Sequence, residues 1–336
     1  MNAIWFVILA GMLIVYAVLD GYDLGVGMLL LYVARSKEER GQARDSIAPV
    51  WNGNEVWLIA AGGAMFMAFP RLYSASFSGF YLPLMLVLWL LIFRGVGFEF
   101  RHTYHHFMWT NFWDLTFSGA SALLAVVYGV AVGNVLRGVP LSSDGVFQGS
   151  FSLLLNPFSV LGGVVSLVVL ALHGAAYLAF KTDGGVQIRA RSLIFPLWLT
   201  SLILIAALSV FSFLVRPNFA ANYLHWPILI VLPIAAAVTV ASIPFYHRKG
   251  EDRSVFAGTS RLIIALLGSA AAGLFPRLLP SLFGTAQNDL TIYNAASNHH
   301  SLWTALVVNA IALIVVIAYT TYVHIVWGGK VRKIGY

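Results

Sequence analysis

Four carboxylates stand where an apolar chain has least use for them. Asp20 and Asp23 lie in LDGYDLGVG (19–27), Glu55 in PVWNGNEVWL (49–58) and Glu99 in RGVGFEFR (94–101), each inside or at the end of a long hydrophobic run. A charge at the centre of a bilayer costs about 2.5–3.5 kcal/mol on insertion scales, so such groups face a bundle interior or a hydrated cavity. Asp20 and Asp23 share one helical face by their i, i+3 spacing, as do Asn52 and Glu55. Arg94 lies between one and two turns from Glu99. One deep arginine against four acids leaves carboxylates that must be protonated or hydrated. Two chemistries fit: a wet, proton-accessible cavity, or a structural ion-pair network in which Arg94 neutralises one acid and backbone groups satisfy the rest. An oxygen cage for a metal needs more convergent ligands than this spacing supplies.

These residues are carried by elements that cross a membrane. The chain has 336 residues, 60% of them hydrophobic and 10% charged, with a mean hydropathy of +0.83, far from the globular balance of about 25% charged residues. The fold class is therefore all-α and polytopic. Runs long enough to cross ~30 Å of hydrocarbon at about 1.5 Å per residue occupy about 4–33, 49–69, 78–101, 114–135, 153–180, 193–215, 227–246, 262–282 and 302–327. Short connections favour antiparallel neighbours. The first run is too long for a cleavable leader and has no basic segment ahead of it, so it is expected to remain.

Every Lys and Arg except Arg71, Arg137, Arg216 and Arg277 falls on one side of these nine spans. The positive-inside rule makes that side cytoplasmic, with the N-terminus outside and the C-terminus inside. The net charge of +7 thus reports topology and not nucleic-acid binding. The absence of cysteine excludes disulfides, iron–sulfur clusters and covalent haem attachment. Counted from the outer end, Asp20 and Asp23 come after roughly 24 Å of helical rise. The polar ends of spans 2 and 3 reach a similar depth, so Asp20, Asp23, Asn52, Glu55, Arg94 and Glu99 are expected in one layer on the cytoplasmic half.

The histidines point more weakly to chemistry. His102, His105 and His106 have a spacing that could hold a metal or haem, but they fall at the basic end of span 3, where solvation at the interface is the commoner role. His173, beside Gly174, is expected to hydrogen-bond across a helix contact. His299, His300 and His324 form no recognisable pair. The long outer segment 273–303 carries Pro276 and Pro280, which end span 8, and Asn298, which offers a helix N-cap; it is expected to pack as a lid over the bundle. A faint echo between LDGYDLG (19–25) and LHGAAYL (172–178) suits two parallel four-helix bundles and suits chance equally well, since small residues recur in packed membrane helices.

Taken together, DGYDLGVG (20–27), PVWNGNEVWL (49–58), RGVGFEFR (94–101), HGAAYLAFKTDG (173–184), GLFPRLLPS (273–281) and LTIYNAAS (290–297) resemble subunit II of the cytochrome bd-type quinol oxidases, including the cyanide-insensitive branch. They follow the family's order along nearly the whole chain. The resemblance implies two four-helix bundles plus a peripheral helix, here 1–136, 153–284 and 302–328. It implies a heterodimer with a larger subunit I, which carries two b-type haems, one d-type haem and the quinol-oxidising loop, in a bacterial or archaeal cytoplasmic membrane. Small single-helix accessory subunits and, in some members, a structural quinone accompany it, and this chain itself ligates no haem. One departure matters: Asn52 stands where the family commonly has Asp, and an amide cannot release a proton. The stretch SNHHSL (297–302) also departs, and nothing in the sequence explains that. On residues alone, a secondary transporter and a passive assembly scaffold remain alternatives. A transporter should show broken helices in inverted halves, whereas the echo here is parallel.

Overall fold

The computed structural model describes residues 1–104, 106–282 and 288–331. Helix α1 (Asn2–Val33) is followed by α2 (Lys37–Asp45), α3 (Trp51–Ala68), α4 (Pro70–Gly79), α5 (Tyr81–Phe100) and α6 (Phe107–Arg137). A short α7 (Phe151–Leu154) leads into α8 (Pro157–Lys181), α9 (Gly184–Val215), α10 (Ala221–His225), α11 (Val231–Arg248) and α12 (Asp252–Leu274). Strands β1 (Arg277–Leu279) and β2 (Leu290–Thr291) pair antiparallel before α13 (His299–Val326). Among the described residues eight helices are long and apolar enough to cross a membrane. The ninth predicted span is α3, whose 18 residues carry the polar Asn52, Asn54 and Glu55 and so fall short in apolarity alone.

Local sequence sets the boundaries. Ser36 and Glu39 close a capping box that starts α2, a short amphipathic helix on the basic face. Asn156 caps α8 through the Ser159 amide, with Pro157 in the first turn, and Asn298 caps α13 through the Ser301 amide at 2.9 Å. The expected span at 262–282 is shifted: α12 begins at Asp252 and ends at Leu274, and Arg277–Leu279 is a strand. Apolarity marks the part of a helix inside hydrocarbon, whereas the helix continues through the charged turn outside it. Helices α6 and α9 start before their apolar runs for the same reason.

The centre of the fold is α8, buried almost continuously from Val169 to Ala179. It crosses α1 where two glycines meet: a Cβ on Gly25 would stand 2.6 Å from the Gly174 Cα, closer than real contacts allow. The stretches that echo one another in sequence therefore pack against each other. On its other side α8 meets α6, where a Cβ on Gly129 would lie 2.7 Å from the Gly163 Cα. Such close backbone approach is how membrane helices gain dispersion contacts in a solvent as apolar as their side chains. Helix α13 packs on α3, with Tyr319 against Gly53, and leaves most of its length exposed.

At the end of the bundle away from the basic face, the described part of the connection between α12 and α13 buries Leu278, Leu279, Leu290, Ile292 and Ala295, as expected of a packed lid. Arginines at this end hold it. Arg277 pairs with Asp289 at 2.6 Å, and Arg71 donates to the Asn294 and Asp144 carbonyls at 3.0 Å each.

Candidate functional site

Helices α1, α3, α5 and α6 converge on Arg94. Its position on α5 follows from the buried stripe Leu90, Arg94, Gly97 and Phe98. The guanidinium grips Asp20 in a fork, Nη1 to Oδ2 at 3.0 Å and Nη2 to Oδ1 at 2.5 Å; the same Nη1 donates to Glu55 at 3.2 Å. Asp23 lies 4.0 Å from Nη2. Arg94, Asp20 and Asp23 are fully buried and Glu55 is partly so.

The two aspartates are not equivalent. Asp20 accepts a third bond, from the Tyr16 hydroxyl at 2.8 Å, and Tyr16 also lies 2.8 Å from the Tyr128 hydroxyl. Because Tyr16 spends its single proton on the carboxylate, Tyr128 donates to Tyr16, giving a directional chain Tyr128→Tyr16→Asp20. Asp23 accepts from Asn54 Nδ2 at 2.7 Å through Oδ2, and its buried Oδ1 has no partner among the described residues. Asn54 also donates to the Tyr22 hydroxyl at 2.8 Å, and Tyr22 lies 3.0 Å from His324 Nε2. His324 Nδ1 reaches the Thr320 carbonyl at 2.8 Å, so the neutral ring carries its proton there and Tyr22 donates to Nε2. Asn54 donates on both sides and orients its neighbours; as an amide it does not relay.

The expected layer is thus corrected at two positions. Asp20, Asp23, Glu55 and Arg94 meet, but Asn52 and Glu99 are exposed on the chain's surface. The inward stripe of α3 is Trp51, Asn54, Trp57, Ala61, Ala64 and Ala68, and Asn52 lies about 200° around the helix from Asn54 at ~100° per residue. Asn54 fills the place expected of Asn52. Glu99 follows Arg94 by five residues and so points about 140° around the helix from it. Tyr16 stood one turn from Asp20 on the same face, a signal available in the sequence; Tyr128 had none, being 112 residues distant.

His173 is buried between helices, 3.0 Å from the Val18 carbonyl and 2.7 Å from the Thr259 hydroxyl, and ties α8 to α1 and α12 as expected of a contact residue. His102 and His106 are exposed, and His106 Nδ1 caps α6 by accepting from the Met108 amide at 3.3 Å. His105 lies outside the described residues. Among the described residues no group of three His, Asp or Glu side chains is placed to hold a metal ion.

A second charged cluster, unforeseen in the sequence, lies where the end of α5 meets α2 and α6. Asp114 on α6 is fully buried and meets three arginines: Arg101 at 2.6 Å, Arg40 at 3.2 Å and Arg44 at 3.3 Å. Arg44 also donates to the Gly97 and Phe98 carbonyls and stacks over the Phe98 ring at 4.7 Å. Burial, reinforced by Arg101, lowers Arg44 to about 10. Partial desolvation beside the cluster, then Arg44 and Arg101, pushes the His102 ring down, and burial raises half-buried Asp45. This cluster pins α2 to the end of the membrane helices.

A sequence model of the family described as cytochrome bd terminal oxidase subunit II matches residues 1–327. Cytochrome bd-I ubiquinol oxidase subunit 2 of Escherichia coli K12 is 34% identical over 98% of this chain and 95% of its own length. Cytochrome bd ubiquinol oxidase subunit 2 of Bacillus subtilis is 31% identical over 90% of this chain and 88% of its own. The solved bd oxidase from Geobacillus thermodenitrificans contains a chain of the same fold, with a TM-score of 0.77, 18% identity and 96% of each chain covered.

Proposed function

Because the chain belongs to the cytochrome bd terminal oxidase subunit II family, we propose that it is the haem-free half of a heterodimeric quinol oxidase, lending a larger subunit I a scaffold and a proton path from the cytoplasm. In this reading subunit I holds the two b-type haems and the d-type haem and oxidises quinol, and the isolated chain is inactive. The basic face is cytoplasmic, the N-terminus is outside, and the assembly sits in a bacterial or archaeal cytoplasmic membrane. Reduction of dioxygen to water consumes protons, and a buried site needs a route for them.

The observation that carries the reading is the imbalance around Arg94. Three carboxylates share one guanidinium. Asp20 takes the fork and the Tyr16 hydroxyl, so it is the fixed counter-ion. Asp23 keeps an oxygen without a partner and is the member free to take up and pass on a proton. Glu55, partly exposed, is the group through which the cluster meets the basic side. The passive-scaffold reading has its own support in the forked Arg94–Asp20 pair, which holds α1 to α5 whatever Asp23 does.

The test is oxygen consumption and membrane-potential generation by the reconstituted complex. Asp23→Asn and Glu55→Gln are expected to slow turnover several-fold with haem content and assembly near those of the parent. Glu99→Gln, on the surface, is expected to change neither. Parental turnover in both Asp23→Asn and Glu55→Gln would leave only the scaffold.

A further inference from the structure

On the basic face, α11 and α12 border an open recess of about 200 Å³ lined by Tyr246, Arg253, Ser254, Ala257 and Arg261. The proton path does not use it. Arg253 and Arg261 are exposed and form no ion pair among the described residues. The acids nearest in sequence pair with neither arginine. Asp252 turns to Arg191 at 2.6 Å and to Gln187 at 3.0 Å, and Glu251, at the edge of the recess, accepts from the Ser254 hydroxyl at 3.0 Å. Arg248 and Lys249 at the turn add positive charge.

The spacing gives the recess a shape. Arg253, Ala257 and Arg261 follow at i, i+4, i+8 along one stripe of α12, with the two arginines about 12 Å apart in helical rise and only a methyl group between them. Deeper on the same stripe Ile264 is 46% exposed. A basic rim above an apolar wall on a membrane-spanning hairpin matches an amphiphile with an anionic head. A soluble anion would use the rim and leave the wall unused.

We propose that this recess binds an anionic phospholipid, its phosphate held between Arg253 and Arg261 and an acyl chain laid along Ile264. Basic pockets between helices at the membrane face recognise such headgroups by charge, while Tyr246 sits at the level where amphipathic aromatics anchor. The inference rests on the membrane-spanning fold and is independent of the proton path.

Native mass spectrometry of the complete oxidase complex, delipidated and titrated with phosphatidylglycerol, phosphatidylcholine or inorganic phosphate, tests it. The parent should retain phosphatidylglycerol about tenfold better than phosphatidylcholine. The double variant R253A/R261A should bind one phosphatidylglycerol fewer, and R253K/R261K should keep it. Equal retention of the two lipids by the parent would overturn the proposal without any variant. So would undiminished binding in R253A/R261A, displacement of the lipid by inorganic phosphate, or loss of subunit I from the double variant, which would mark the recess as a protein contact.

Discussion

Two charged clusters, one around Arg94 within α5 and one around Asp114 of α6 beside the end of α5, have opposite stoichiometry. Around Arg94, three carboxylates share one cation; around Asp114, three cations share one carboxylate. Both are buried, yet their imbalances are not alike. A surplus of carboxylates is relieved by taking up protons, which are mobile and always available. A surplus of guanidinium groups has no such outlet: Arg44, even lowered to about 10, stays charged at neutrality. The Asp114 cluster is balanced by fixed groups, the Gly97 and Phe98 carbonyls and the faces of Phe98 and Phe117. In the proposed reading the acid-rich cluster changes charge while the fold stays put, and the arginine-rich cluster holds one charge and one shape.

The largest effect should come from removing the lone carboxylate. Asp114→Leu strands three arginines, and breaking a buried pair costs about 3–5 kcal/mol. Thermal unfolding of the complex should show that loss at every pH from about 6 to 8, because nothing nearby can discharge the arginines. Arg94→Leu comes next. At neutral pH it strands Asp20, Asp23 and Glu55 at a similar cost, with loss of assembled complex, but the stranded acids take protons as the pH falls, so the deficit should narrow. Matching pH profiles for the two variants would break the comparison.

Much of the acid-rich site was legible because its chemistry is improbable where it sits. Asp20, Asp23, Glu55 and Arg94 stand out against apolar runs, and nine spans with one basic face put them at one depth. The phase of each helix was harder to read. In PVWNGNEVWL two asparagines flank Gly53, and the choice between Asn52 and Asn54 turns on which stripe faces α1, a fact fixed by Ala61, Ala64 and Ala68 further along α3. The arginine-rich site was illegible for a different reason. Its charges fall at the ends of spans, where charge is ordinary, and only tertiary packing brings Arg40, Arg44 and Arg101 to Asp114.

Helix phase gives the third prediction. Asn54→Ala removes the donor to both Asp23 and Tyr22, and an unsatisfied buried acceptor costs about 1–3 kcal/mol. Asn52→Ala, two residues away and exposed, should stay within about 0.5 kcal/mol. Thermal unfolding of the two variants side by side settles which asparagine belongs to the site; the reverse order would put α3 in the other phase.

The smallest expected effect tests how the arginine-rich region is held at its edge. Glu39, in the same helix as Arg40 and Arg44, pairs with Arg189 at 2.5 Å and accepts from the Arg35 amide at 2.7 Å. The Arg189 guanidinium and the backbone N–H groups of Arg35 and Ser36 hold its carboxyl below the usual range. A carboxyl with a depressed value in the folded state stabilises above its unfolded value, about 4.3, and loses that contribution as the pH falls through the depressed one. The pair is partly exposed, so Glu39→Gln should cost no more than about 1 kcal/mol. The gap between parent and variant in thermal unfolding should be constant from about pH 8 to 5 and close below about pH 4. It should also shrink in high salt, which screens exposed pairs more than buried ones. Salt should leave the Asp114→Leu deficit intact. If salt erases both, Asp114 is in contact with water and the contrast between a mobile and a fixed cluster no longer holds.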